Sequence, residues 1–320
     1  LKQRLHLLRL LADGEFHGFR ELGEALALAP VDLKVQLEAL CDDGFELHTR
    51  NQSALALATR VEWLDTERIR AVLKPAVRQS LGSIEIFDCI DSTNQRLLQA
   101  PPPVTGHGSV CLAEAQSAGR GRLGRSWYSP PAVNLYLSLS WRLENEVAAL
   151  QGLSLAVGVA VADACERLGA KGIGLKWPND LVTAGGKLGG ILMELRSDCA
   201  IIGIGLNVNQ SCRQMHAIEQ AATSLHTLAH GPVSRNQLAG EILNAAHPVL
   251  AGYARDGLGP YRERWQQRDA LRGRHVVLSD NPGCLTGVAL GIDTNGAYLL
   301  ETPEGIVPVN AGSLRLRELP

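Results

Sequence analysis

Glu114-Ala115-Gln116-Ser117-Ala118-Gly119-Arg120-Gly121-Arg122-Leu123-Gly124-Arg125-Ser126-Trp127 sets three arginines among three glycines, with no acid after Glu114 to offset them. Glycine admits positive φ and lets the backbone approach a ligand closely. Arginine's planar fork suits carboxylate and phosphate oxygens held side by side. The stretch reads as an anion-gripping loop; a surface turn with solvated arginines is the plainer alternative. Gly119 to Gly124 also fits the spacing G-x-G-x-x-G, which marks a dinucleotide site only between a strand and a helix. Val110 to Gln116 supplies the strand, but Pro130-Pro131 cannot sit inside a helix opening at Gly121. The dinucleotide reading fails on that context.

On either side the texture is mixed α/β. Ile84 to Phe87 and Val110 to Gln116 look like strands. Asn134 to Leu143 alternates Leu135, Leu137, Leu139 and Trp141 with Tyr136, Ser138 and Ser140, the period of a half-buried strand. Leu153 to Leu168 reads as an apolar-faced helix closed by Gly169. Gly174 to Trp177, Leu181 to Thr183, Leu188 to Leu195 and Ala200 to Val208 read as further strands, with a hairpin turn at Ala184-Gly185-Gly186. Residues 209–224 lack periodicity and read as a long loop, of the kind that is often functional. Ser234 caps a helix running toward Tyr253, bent at Pro248, and a last helix spans Tyr261 to Asp269.

The ends of the chain differ from this middle. Leu1, Leu5, Leu8 and Leu11 keep helical spacing, as do stretches around Phe19 to Leu28 and Val31 to Leu40. Two short β-like pieces follow, at Phe45 to Thr49 and Ala54 to Ala58. Three helices and such a hairpin suggest a winged helix-turn-helix over residues 1–66; a small helical interaction domain remains the alternative. Residues 1–70 hold nine Lys/Arg and twelve Asp/Glu, three more acids than bases, whereas DNA binding relies on basic side chains at phosphates. Lys74-Pro75 reads as a boundary, with a catalytic domain over 75–270. Short strands with Gly/Asn turns then recur over 271–320, which predicts a small β-barrel.

Whole-chain properties narrow the class. With 320 residues, 45% hydrophobic content and a formal net charge of −2, the chain can fold as two or three domains and has no general attraction to nucleic acid or membrane. Its seven cysteines contain no C-x-x-C pair, which suits a reducing cytoplasm and argues against a zinc site. The longest apolar run, Leu153 to Leu168, is interrupted by Asp163 and Glu166 and is too short for a membrane span. His226 and His230 have i, i+4 spacing but no third ligand, so no metal site is assigned.

Four further clusters carry chemistry. Lys176-Trp177-Pro178-Asn179-Asp180 places a lysine on a rigid strand end, a fixed ammonium suited to charge growing on phosphate, though an edge-strand lysine reads the same way. Gly186-Lys187-Leu188-Gly189-Gly190 lacks the first glycine and the Ser/Thr of a Walker A loop, and could be a plain hairpin turn. Gly203-Ile204-Gly205-Leu206-Asn207 is a strand whose glycines permit close approach to a ligand. Asp91-Ser92-Thr93-Asn94 fits a helix N-cap, and its hydroxyls and amide could equally bond a polar ligand head.

Taken together, in order and spacing, Asp91 to Asn94, Gln116 to Trp127, Lys176 to Asp180, Gly186 to Leu192 and Gly205 to Asn207 resemble the biotin protein ligases. The ends resemble those of the bifunctional, repressor form, with a C-terminal SH3-like barrel. The resemblance implies that biotin and ATP, with Mg²⁺, give biotinyl-5′-adenylate, and that a lysine of the biotin carboxyl carrier protein then displaces AMP. It implies biotin contacts at Ser92, Thr93, Asn94, Gln116, Arg120, Gly121, Arg122, Trp127 and Lys176. Adenylate or ATP contacts fall at Arg122, Arg125, Lys187, Gly205 and Asn207, and the catalytic roles at Lys176, Arg120 and Arg122. It implies a loop over 209–224 that orders on the adenylate, a cytoplasmic location, and a homodimer on operator DNA in the repressor role. Ala29-Pro30-Val31-Asp32 and Asn51-Gln52-Ser53-Ala54 depart from the repressors' basic recognition helix and Gly-Lys-Gly-Tyr wing, which points to weak or divergent operator binding. A lipoate-type ligase and a DNA-binding adenylate sensor are the rival readings.

Overall fold

The computed structural model describes residues 2–51, 53–142, 152–215, 220–279 and 285–316. Leu1, Gln52, Leu143, Cys284 and part of the 209–224 stretch lie outside them. In chain order the elements are α1 (Lys2–Leu11), β1 (His17–Gly18), α2 (Phe19–Leu26), α3 (Pro30–Asp42), β2 (Leu47–Arg50), β3 (Ala54–Leu57), α4 (Thr66–Val72), α5 (Pro75–Ser80), β4 (Leu81–Ile90), α6 (Thr93–Gln99), β5 (Gly108–Gln116), β6 (Leu135–Arg142) and α7 (Leu153–Arg167). They continue with β7 (Gly174–Lys176), β8 (Asp180–Thr183), β9 (Gly186–Arg196), β10 (Cys199–Leu206), α8 (Cys212–Met215), α9 (Leu225–Ala229), α10 (Arg235–Asp256), α11 (Gly259–Gln267), β11 (His275–Ser279), β12 (Leu285–Ile292), β13 (Tyr298–Thr302), β14 (Gly305–Val309) and β15 (Ser313–Leu316).

The centre is a seven-stranded sheet in the order β4-β5-β6-β10-β9-β8-β7. β4 and β5 run parallel across the α6 crossover, and the remaining neighbours are antiparallel. Register sorts the residues by face. Ser138 lies opposite Gly203, and Gly203 opposite Leu192; Tyr136, Gly205 and Gly190 form the next row. The other face carries Leu135, Leu137, Leu139 and Trp141 with Ile202, Ile204 and Leu206, all buried with α7 and α10 in the main core. The polar alternation of β6 is therefore not a solvent face: Tyr136, Ser138 and Ser140 are buried beneath α6. Periodicity records a change of polarity, and a polar pocket produces it as well as water does.

The first three helices bury Leu7, Leu8, Leu11, Leu22, Leu33, Leu37 and Leu40, and this cluster takes in Ala132 and Val133 of the central body. Their small sheet has the order β1-β3-β2. The outer face of α3 presents Val31, Asp32, Lys34, Val35 and Glu38. Lys74-Pro75 does not mark a break in packing. Asn236 of α10 bonds the backbone of Trp63 and Asp65, and Asn244 bonds that of Val72 and Lys74. Pro75 occupies the first turn of α5, where a missing N–H costs nothing.

A buried ion pair fastens the same region. Arg235 Nη1 donates to Glu114 Oε2 at 2.7 Å with both side chains buried, and Glu114 Oε1 accepts from Leu64 N at 2.6 Å. The 209–224 stretch is not a plain loop. It contains α8, its Ala222 bridges Lys187, and Gln214 Nε2 donates to the Asp43 carbonyl at 2.7 Å. The C-terminal strands form an antiparallel sheet in the order β14-β13-β12-β11-β15. Among the described residues β14 and β15 are not paired, so this sheet is open and not a closed barrel. Cys89, Cys111, Cys165 and Cys199 are free thiols, and burial pushes Cys111 and Cys165 up to about 12. No helix among the described residues is long and apolar enough to cross a membrane.

Candidate active site

The site lies on the α6 face of the central sheet. Ser92 caps α6, accepting Gln95 N at 3.4 Å, so Thr93 and Asn94 are fixed in the first turn over β6. Gln116 ends β5, and its Oε1 accepts from Thr93 N at 2.9 Å and Thr93 Oγ1 at 3.2 Å. The Ser138 hydroxyl donates to Asn94 Oδ1 at 2.6 Å and lies 2.7 Å from Thr93 Oγ1. These groups make an uncharged, pre-bonded floor. Gly203 is required there, because a Cβ would fall 2.4 Å from Asn94 Oδ1.

From Gln116 the arginine/glycine loop crosses above the sheet. It is pinned by Trp127 N donating to Gly119 O at 2.8 Å and Gly121 N donating to Arg125 O at 2.7 Å. No helix opens from it; Arg122–Gly124 forms one 3₁₀ turn, with Leu123 at φ 57°. A cleft of about 350 Å³ lies between residues 120–125 and Leu192 and Glu194 of β9. Arg120 Nη2 donates to Glu194 Oε2 at 2.9 Å, and Arg122 Nη1 reaches Asn179 Oδ1 at 3.4 Å. The Trp127 ring lies on Gly205, where a Cβ would stand 2.7 Å from it. The buried Trp127 Nε1 has no hydrogen-bond partner among the described residues.

Cations gather at the far end. Lys187 Nζ is 2.8 Å from Asp180 Oδ1 and 5.5 Å from the Trp127 ring centroid. Lys176 ends β7, in register with Asp180 of β8. On its outer side β7 is braced by Arg268 and Ala270, which exchange backbone bonds with Leu175. The neighbouring Trp177 donates to Gly296 O at 3.1 Å and packs on Tyr298, tying this strand end to the C-terminal sheet. Burial above all lowers the Lys176 pKa. Asp180 opposes that shift, and the positive charges of Lys187, Arg315 and Arg125 add to it.

The predicted residues thus lie along one face of the sheet and the loop above it, with two exceptions of orientation. Asn207 turns its amide nitrogen to the carbonyls of Lys187 (3.4 Å) and Thr223 (3.1 Å), so it shapes the start of the 209–224 stretch. Ser92 is a helix cap. His226 lies in α9 and His230 at its C-cap; no group of three or more His, Cys, Asp or Glu among the described residues is arranged to hold a metal. Sequence reading had passed over Ser138, Asn179, Asp180, Glu194 and Arg315. Asn179 and Asp180 sat inside a quoted motif, and Ser138 inside an alternating strand. Glu194 and Arg315 gave no local signal.

Over 98% of its length the chain is 38% identical to the bifunctional ligase/repressor BirA of Salmonella typhimurium, covering 97% of that protein. The chain belongs to the biotin protein ligase family. The profile of the biotin/lipoate A/B protein ligase family matches residues 86–209, and that of the biotin protein ligase C terminal domain matches 273–317. The first span contains every predicted site residue from Ser92 to Asn207, and the second contains Arg315. The biotin–[acetyl-CoA-carboxylase] ligase of Mycobacterium tuberculosis is 35% identical, over 70% of this chain and 85% of that protein. The structure of a biotin protein ligase from Aquifex aeolicus in complex with biotin and ATP matches with a TM-score of 0.65 and 30% identity, covering 74% of this chain and 99% of that one. In this family member, then, the arginine/glycine loop, the α6 cap and the Lys176 strand end lie on one face of the sheet, linked through Asn94–Glu194–Arg120, Arg122–Asn179 and the Lys176–Asp180 register.

Proposed function

We propose that this biotin protein ligase joins biotin to ATP as biotinyl-5′-adenylate, releasing pyrophosphate, and then passes the biotinyl group to a lysine of the biotin carboxyl carrier protein of acetyl-CoA carboxylase. The observation that carries this is the polarity of the groove. Its neutral end, at Thr93, Asn94, Gln116 and Ser138, suits the donors and acceptors of a ureido ring. Its cationic end, at Lys176, Lys187, Arg122, Arg125 and Arg315, suits a carboxylate meeting a phosphate. In the first step a carboxylate oxygen bonds to the α-phosphorus as pyrophosphate leaves. Like-charge repulsion opposes that approach, and fixed cations offset it. In the second step the carrier's amine bonds to the acyl carbon, AMP leaves with the bonding pair, and the nitrogen gives up a proton.

Lys176, Arg120 and Arg122 take the catalytic roles, with Lys176 against the carboxylate and α-phosphate. Gly121 lends close backbone approach, Trp127 covers the ligand, and Lys187 and Gly205 face the nucleotide. The mixed anhydride hydrolyses readily, so a loop that excludes water serves the reaction. Mg²⁺ enters as the counter-ion of ATP, held chiefly by phosphate oxygens, with Asp180 the carboxylate at that end. The proposed organisation is a winged helix-turn-helix over 1–66, the ligase body over 75–270 with packing that reaches back to Trp63, and an open SH3-like sheet over 271–320. The setting is the cytoplasm.

A second role, as a dimeric biotin-responsive repressor on operator DNA, is favoured by the bifunctional relative's match through the first 66 residues. The exposed face of α3, with one lysine against Asp32 and Glu38, predicts weak operator affinity. Biotin-dependent ATP–pyrophosphate exchange, with lipoate as the control, tests the ligase reading. Exchange with biotin alone supports it, and exchange with lipoate alone moves the assignment to a lipoate-type ligase.

A further inference from the structure

Glu194 belongs to no quoted motif, yet it stands where two parts of the groove meet. It projects from β9 into the cleft, on the face that carries Leu192 and Gly190. Its Oε2 accepts from Asn94 Nδ2 at 2.8 Å and from Arg120 Nη2 at 2.9 Å. Asn94 is a fixed donor. It is 3% exposed, its Oδ1 is held by Ser138, its Nδ2 also reaches Leu192 O at 3.3 Å, and Gly203 leaves room for it. The carboxylate is thereby immobilised on the sheet before Arg120 meets it. An exposed ion pair loses most of its strength to ordering two long side chains; here one partner is already ordered. A charge-assisted bond to a fixed acceptor is among the stronger polar contacts a loop can make.

We propose that Glu194 is a positioning residue of the ligation site: by holding Arg120 to β9 it fastens the arginine/glycine loop and sets how long the activated acyl-adenylate is retained. This rests on the ligase reading above. Arg120 lies between Gly119 and Gly121 and bridges to Ser126, so its side chain fixes the segment whose backbone closes the loop on itself. Glu194 touches neither reacting atom in this account; it acts through Arg120 and Asn94.

Exchange by the wild-type chain tests the ligase reading by itself, and the following measurement then tests Glu194. Biotinyl-adenylate dissociation is timed in the wild type, Glu194→Gln, Arg120→Gln and the double variant. Glutamine can still accept from Asn94 but lacks the charge that holds Arg120. Dissociation should quicken about five- to tenfold in Glu194→Gln, and the maximal rate of adenylate formation should fall less than in Arg120→Gln, which removes the guanidinium itself. The double variant should lose adenylate no faster than the faster single variant, because both remove one contact. A general loosening of the fold would instead lower the melting temperature and weaken ATP binding along with retention. An unchanged off-rate in Glu194→Gln, or additive effects in the double variant, would overturn the proposal. If Glu194→Gln does not fold, Arg120→Gln decides: its side chain is 40% exposed, and an off-rate equal to wild type overturns the proposal equally.

Discussion

Replacing Lys176 by methionine removes the ammonium and keeps a stem of similar length. β7 is held through backbone bonds to β8 and to Arg268 and Ala270, so the strand end should persist. A unit charge about 4 Å from the developing negative charge is worth roughly 4 kcal/mol at an effective dielectric of about 20. Lys187, Arg125 and Arg315 share that field, which places the loss near the range measured for deleting one such donor, about 10²- to 10³-fold. Single-turnover adenylate formation reads it directly, and a rate within about threefold of wild type would refute the electrostatic role. The pH dependence gives an independent check. The protonated form is the active one, and burial lowers its pKa. Activity should therefore fall on the alkaline side at a lower pH than an exposed lysine would give. Lys176→Arg should move that limb upward, since arginine does not lose its proton in this range. Because burial disfavours the ammonium, the folded state gains stability as pH rises from the lowered pKa toward the ordinary one. Lys176→Met should accordingly melt no lower than wild type at neutral pH.

Two further outcomes follow from contacts elsewhere. Gly205→Ala places a methyl group 2.7 Å from the Trp127 ring, so the ring must shift; adenylate affinity should fall at least tenfold while the melting temperature stays close to wild type, and unaltered affinity would show that Trp127 does not cover the ligand. Glu114→Gln leaves Arg235 buried without its counter-charge, which typically costs about 3–5 kcal/mol; thermal unfolding should shift down by several degrees, and an unmoved curve would mean that the pair adds nothing.

Much of this was legible because local rules and tertiary demands agree. The α6 cap follows from Ser92 alone, and the ends of α7, β5 and β10 fall close to where apolar periodicity puts them. The groove was readable as a set of motifs since each is short and contiguous. What was not legible depends on pairing at a distance. Glu194 meets Arg120 across 74 positions through the β9–β10 register, which no local pattern encodes. Ser138 looked like a solvent-facing strand residue because alternation cannot tell water from a buried polar ligand site. Four-residue α8 spans barely one turn, too short for a period to show. Lys74-Pro75 looked like punctuation, whereas Pro75 begins a helix and Asn236 and Asn244 sew the preceding segment to α10. The number of C-terminal strands was visible, but closure requires a pairing between β14 and β15 that the register among the described residues does not make.

The central claim is that this chain forms an amide between biotin and a carrier lysine. Purified chain, biotin, MgATP and an apo-form biotin carboxyl carrier domain should be incubated together and the carrier's intact mass recorded. The account predicts addition of one biotinyl group, dependent on ATP and lost when the carrier's acceptor lysine is replaced by arginine. A carrier of unchanged mass, from an enzyme preparation that binds biotin and ATP, would contradict it.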